Sequence, residues 1–242
     1  MKRTTAAGAA LRGRPVHVDE DARSPLTAYQ RDIWAAGAQA PLSPQFNCVL
    51  HERLRGGVDH DTLAYRAERA LNRHETFRLR FGENAGTPFQ WVNGEGIRVS
   101  RVDLAQEPEP DVECAAWMRR SMATALPLTD GGALVEATLL LESPDVTHLH
   151  IKAHHIVADG WTLNRLSHEI LEDYARATAG GQEQPGRQEP PSYLAFVEEE
   201  ATYRAGVDGE NDRAFHREAL ADVAPARVTR AAGGSGRGRP TV

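Results

Sequence analysis

The sequence predicts an α/β fold, a mixed sheet flanked by helices, on three observations. Segments of helical period alternate with segments of period two along most of the 242 residues. Two of the period-two segments, residues 133–141 and 148–154, are separated only by ESPDVT, a stretch suited to a hairpin turn, which marks an antiparallel pair. A long segment at about 161–177 follows with Leu163, Leu166, Ile170 and Tyr174 on one helical face.

The elements follow in order. Ser24 with Pro25 reads as the cap and first position of a helix that carries Tyr29, Ile33 and Trp34 toward a core. Residues 45–54, in which Phe46, Cys48 and Leu50 alternate, read as a strand that Gly56 and Gly57 end. Asp59 is the N-cap of a helix with Leu63, Ala67, Ala70, Leu71 and His74 at helical spacing. At Phe77, Leu79 and Phe81 the period changes to two, and short strands at 89–92 and 97–102 follow. Residues 111–125 suit a helix with Cys114, Trp117, Met118, Met122 and Ala125 on one side, the methionines as core filling. After the hairpin and the long helix, Ser192 caps another helix, and 209–221 reads as one more.

Composition narrows the function classes. The charge balance of 28 basic against 34 acidic residues, net −6, argues against a nucleic-acid partner. Two widely separated cysteines define neither a disulfide scaffold nor a thiolate zinc site, and both read as buried free thiols. No apolar run approaches the roughly 18 residues of a membrane span, and the basic, alanine-rich start lacks the apolar core of a signal peptide, so the expected location is cytoplasmic. Residues 1–22 and 223–242 read as disordered tails around one lobe at 23–222.

The chemistry concentrates at the end of the second hairpin strand. There Leu149, Ile151 and Ala153 face one side, and His148, His150, Lys152 and His154 the other. His155 follows, pointing with the apolar set unless the strand breaks. Asp159-Gly160 then turns the chain into the long helix. A histidine between a strand and a helix is held by rigid elements, titrates near neutrality, and exchanges a proton or donates to a developing oxyanion. Asp159 holds an arginine or caps the next helix. Gly160 adopts a backbone conformation closed to other residues, or leaves room for a substrate. Chance adjacency of two histidines is the competing reading. A metal site on His148, His150 and His154 is a further one, opposed by Lys152 in the same row.

In this setting AHHIVADGWT, read as His154, His155, Asp159 and Gly160, resembles the HHxxxDG motif of the condensation-domain superfamily of non-ribosomal peptide synthesis, which includes the chloramphenicol acetyltransferase-like acyltransferases. Two further stretches resemble family motifs in the same order. One is SPLTAYQRDIWAAG, with Ser24, Gln30 and Trp34. The other is RHETFRLRF, with Arg73, His74, Glu75 and Arg78. The resemblance covers about residues 22–222 and one of the family's two similar lobes. Val157-Ala158 and Phe77 are mild departures from the usual motifs.

The resemblance implies amide formation between an acyl or peptidyl thioester and the amine of an aminoacyl thioester, both carried on phosphopantetheine arms of carrier proteins. It implies no cofactor held by the chain itself. By the same resemblance His155 is catalytic, His154 supports its geometry and Gly160 lines the channel. Asp159 is structural, bridged to Arg73 or Arg78. The missing lobe implies a homo-oligomer or a second polypeptide, and a chain silent by itself. Two alternatives stay open: a non-catalytic module that docks carrier proteins, and a small-molecule acyltransferase using a coenzyme A thioester.

Overall fold

The computed structural model describes residues 23–128, 131–181 and 189–224, so both expected tails lie outside the described residues except for Val223 and Ala224. Its contacts divide the chain into two units, residues 1–200 and 201–242.

In the first unit a four-stranded sheet has the order β2 (Asn47–Arg55), β7 (Val146–His154), β6 (Val135–Ser143) and β5 (Val99–Asp103). β5 runs parallel to β6 and the other pairs are antiparallel, which makes the sheet mixed. β7 is therefore an interior strand, as its alternation and its apolar hairpin partner predict. A second, antiparallel sheet joins β1 (Ser24–Pro25), β4 (Thr87–Val92) and β3 (Leu79–Asn84). The helices of this unit are α1 (Ala28–Gln39), α2 (His60–Arg73), α3 (Pro110–Ala123), α4 (Gly160–Thr178) and most of α5 (Tyr193–Ala205).

The two faces of the large sheet are covered differently. Leu149, Ile151 and Ala153 of β7 join a core with Leu63, Ala67 and Leu71 of α2 and Leu163, Leu166 and Ile170 of α4. Each leucine or isoleucine among them taken from water contributes roughly 1.5–3 kcal/mol. The opposite row meets α3, whose last turn and following loop accept hydrogen bonds from Lys152, at the Ser121 and Thr124 carbonyls, both at 3.2 Å. Lys152 is 1% exposed and pairs with Glu136 at 2.9 Å. Its charge is thus matched by a carboxylate and by the negative end of a helix.

Several sequence expectations shift. Ser24-Pro25 does not start a helix, because these residues pair with Gln90 and Phe89. The cap is Thr27, whose hydroxyl accepts from the Gln30 N–H at 3.2 Å while the Gln30 side chain accepts from the Thr27 N–H at 2.9 Å. That reciprocal pair satisfies two helix-end donors at once. The strand expected from residue 45 begins at Asn47, after a 3-10 turn over Pro44–Phe46. Phe77 is buried within the 3-10 turn Glu75–Arg78, not in β3. On α3 only Cys114 is buried, while Met122 is exposed and fills no core.

The second unit comprises the end of α5 and α6 (Val207–Ala219). Within it the Tyr203 hydroxyl donates to Asp212, and Arg213 donates to the Arg204 carbonyl at 2.9 Å. Among the described residues no helix is long and apolar enough to cross a membrane.

Candidate active site

The loop between β7 and α4 is fixed at nearly every residue. β7 ends at His154, so His155 leaves the strand and its ring is not bound to the apolar face. The His155 N–H donates to the Phe46 carbonyl at 2.7 Å, and the Val157 N–H to the His154 carbonyl at 3.0 Å. The Thr76 hydroxyl donates to the Val157 carbonyl at 2.9 Å, and the Cys48 thiol to the Ala158 carbonyl at 3.8 Å. The Arg-His-Glu segment therefore touches the histidine loop through its threonine.

The two histidines have opposite environments. His154 is 4% exposed and packs on Phe46, ring centres 5.5 Å apart. Its Nδ1 accepts from the Ile156 N–H at 3.1 Å. Burial, with the nearby His155 second, pushes it down to about 4. It is a neutral ring that shapes the turn. His155 is partly exposed, and its Nδ1 lies 2.7 Å from the hydroxyl of Tyr29. Tyr29 is 54% exposed, so the expectation that it points into the core fails. Its helical spacing to Ile33 fits a buried face, but its hydroxyl turns to this loop instead.

Asp159 is the N-cap of α4. Its Oδ1 accepts from the Thr162 N–H and from the Thr162 hydroxyl, both at 2.7 Å. Those bonds, the hydroxyl first, hold its carboxyl below the usual range. The expected bridge to Arg73 or Arg78 is not formed. Arg73 pairs with Glu169 at 3.1 Å, and Arg78 donates to the Asn93 carbonyl at 3.1 Å. His74 lies 3.2 Å from the other oxygen of Glu169, and Glu75 accepts from the Ser192 hydroxyl and the Tyr193 N–H at 2.8 and 2.7 Å. The arginines are thus occupied at α4 and just after β4, and the aspartate closes a helix end instead, the other role its position allowed.

Gly160 is the first residue of α4, exposed and without positive φ. Of its two expected roles, backbone freedom is therefore unused. A Cβ there would meet nothing within 4 Å, so the space beside it is open. A groove of about 480 Å³ begins beside it, lined by Trp161, Thr162, Arg165, His74, Thr76 and Glu169.

The remaining histidines of the row are held by neighbours. His148 Nε2 lies 2.7 Å from Glu142, which also pairs with Arg53 at 2.6 Å. His148 Nδ1 lies 2.8 Å from His51 Nε2, and His150 Nε2 lies 3.1 Å from the Ser121 hydroxyl. Cys114, Glu142 and His148 each bring a potential ligand atom within 4.8 Å of the others. Both oxygens of Glu142 are already hydrogen-bonded, and burial pushes the Cys114 thiol up to about 11. Hydrogen bonding thus accounts for the placement of Glu142 and His148.

A partly exposed histidine thus stands on an anchored strand-to-helix turn that ends at an exposed glycine. The chain belongs to the condensation-domain family, whose model matches residues 21–232. It is 28% identical over 205 residues to the dimodular nonribosomal peptide synthase of Bacillus subtilis, covering 84% of this chain and 8% of that protein. Among solved structures it resembles a mutant starter condensation domain of rhizomide synthetase, in complex with C8-CoA and Leu-SNAC. That match has a TM-score of 0.75 at 22% identity and covers 84% of this chain and 46% of the other. It also resembles the first condensation domain of the CDA synthetase, with a TM-score of 0.66 at 24% identity and coverage of 83% and 51%. The chain thus spans about half of these condensation domains, and its fold is that of the first of the family's two lobes.

Proposed function

We propose that this chain supplies the histidine-bearing lobe for condensation-type acyl transfer in non-ribosomal peptide synthesis. The reading rests on one observation above all. His155 is the histidine of the pair that is partly exposed, on a turn anchored by Phe46, by Cys48 of β2, by the Thr76 turn and by α4. In the proposed reaction the amine of an aminoacyl thioester attacks the carbonyl carbon of an acyl or peptidyl thioester. The C–N bond forms, the C–S bond breaks, and the proton released by nitrogen ends on the departing sulfur. His155 acts at the reacting carbon, His154 holds the turn, Asp159 starts α4, and Gly160 leaves space at the carbonyl.

The proposed partners are carrier proteins that deliver both thioesters on phosphopantetheine arms, with the groove at Trp161 offering one wall to an arm. A second lobe, from a longer chain, another polypeptide or a second copy, supplies the opposite wall. Catalysis needs the reacting atoms within about 3–3.5 Å of one another and water kept from the thioester. The 242-residue chain by itself is therefore expected to be silent.

The test is single-turnover amide formation in a complete two-lobed assembly, with donor and acceptor on carrier proteins and, in parallel, the donor on coenzyme A. His155→Ala is expected to slow the reaction by about 10²–10⁴. Equal rates for both proteins sink the assignment. A rate confined to the coenzyme A donor replaces the carrier-bound donor with a soluble one.

A further inference from the structure

We propose that Tyr29 is a positioning residue for His155, holding its ring in the tautomer that keeps the proton on Nε2. The proposal rests on the reading of His155 as the reacting group and narrows what that group does. The Tyr29 oxygen stands 2.7 Å from His155 Nδ1. Of the two groups the phenol is the stronger donor and the imidazole nitrogen the stronger acceptor, so the hydroxyl donates and Nδ1 accepts. The rings are 6.3 Å apart and inclined at 56°, so they do not stack and the contact is the hydrogen bond.

The hydroxyl keeps its proton. Burial pushes the Tyr29 phenol up, and the Asp159 carboxylate and Cys48 add to the rise. A phenol that donates to Nδ1 needs the lone pair there, and a neutral imidazole then carries its hydrogen on Nε2.

The phenol is also well placed to impose this choice. Tyr29 is the second residue of α1, next to the Thr27–Gln30 capping pair. Gln30 is fully buried against Gln90 at 2.9 Å, and Gln90 donates to the Pro25 carbonyl at 2.8 Å. The Ala28 N–H donates to Glu200 at 3.1 Å. The start of α1 is thus pinned by β1, β4 and α5 before Tyr29 reaches the histidine loop, whose own backbone is pinned at Phe46.

The chemical consequence is a choice among the roles open to His155. With hydrogen on Nε2 the ring offers a donor to the carbonyl oxygen that gains charge when the amine attacks. It does not take the proton of the amine. The tetrahedral oxyanion is steadied by Nε2–H, collapse expels the thiolate, and the thiolate receives the proton of the former amine.

The decisive measurement is long-range proton–nitrogen correlation of the imidazole rings in the nitrogen-15-labelled full chain at neutral ring charge. His155 is identified by the signals lost in His155→Gln. The wild-type ring is expected to be Nε2-protonated with Nδ1 as acceptor. Tyr29→Phe, its fold checked by the backbone amide spectrum, is expected to change the tautomer ratio about five- to tenfold. In the complete assembly it should lower kcat about tenfold and leave KM unchanged. A wild-type ring protonated on Nδ1 overturns the proposal without any variant, and so does an unchanged ratio in Tyr29→Phe. A shifted ratio with His155-independent amide formation sinks the catalytic reading and leaves the positioning contact standing. An unchanged ratio with His155-dependent formation does the reverse.

Discussion

The buried row beneath α3 and the turn that follows it use the same residue type for opposite ends. His148, His150 and His154 stand on one strand face, each less than 5% exposed, with Glu142, the Ser121 hydroxyl and the Ile156 N–H as their respective partners. His155, one residue on, has a ring held at one nitrogen by a half-exposed phenol. Burial holds His150 and His154 neutral, at about 4, and leaves them no proton to trade near neutrality. The contrast is made by the strand ending: at His154 the side chain still belongs to the sheet, and at His155 it does not.

The largest expected effect that tests this contrast is acid unfolding. In the unfolded chain His150 and His154 take up protons near 6.5, but in the folded chain only near 4. The unfolded state therefore binds more protons in that window. The stability the pair confers is complete above about pH 6.5 and is lost as the pH falls toward 4. The slope for two such groups reaches about 2.7 kcal/mol per pH unit. Denaturant titrations across this range are expected to show it, and His150→Gln should remove about half. A flat acid limb would place these rings in contact with water.

A smaller effect separates the two roles open to Asp159. As an N-cap, Asp159→Ala is expected to cost about 1 kcal/mol, and Asp159→Asn only a few tenths, because asparagine caps as well. A buried bridge to arginine would instead make both substitutions cost about 3–5 kcal/mol. Chemical denaturation of the two variants decides between them.

The smallest expected stability change is at Gly160, where alanine meets open space at a helix start. Gly160→Ala should leave stability unchanged or raise it by up to about 1 kcal/mol. The same variant in a complete assembly is expected to lower the amide rate by at least about tenfold if the thioester carbonyl passes this point. A loss of stability together with an unchanged rate would mean that the open space serves the fold and not a substrate.

Much of this was legible in the chain itself. The period of two over β7 placed His148, His150, Lys152 and His154 on one face, and the period of α4 placed Leu163, Leu166 and Ile170 on another. Asp59 and Ser192 read correctly at the starts of α2 and α5, because capping is decided within a few residues. The start of α1 misread for a related reason. Ser24-Pro25 is a good local opening, but the pairing of these two residues with Gln90 and Phe89 lies 66 and 64 residues away and outweighs it.

By itself the sequence determined the alternation of helix and strand, the mixed sheet, the interior place of β7, and the loop on which His155 stands. Those depend on periodicity and on caps, which are local. Only the tertiary structure decided which partner each polar group takes. It put Thr76 on the Val157 carbonyl, gave Arg73 to Glu169 rather than to Asp159, buried Lys152 against α3, and brought Tyr29 to His155 across 126 positions of sequence. A hydrogen bond needs its atoms within a few tenths of an ångström, and no spacing along the chain carries that distance until the helices and the sheet have packed.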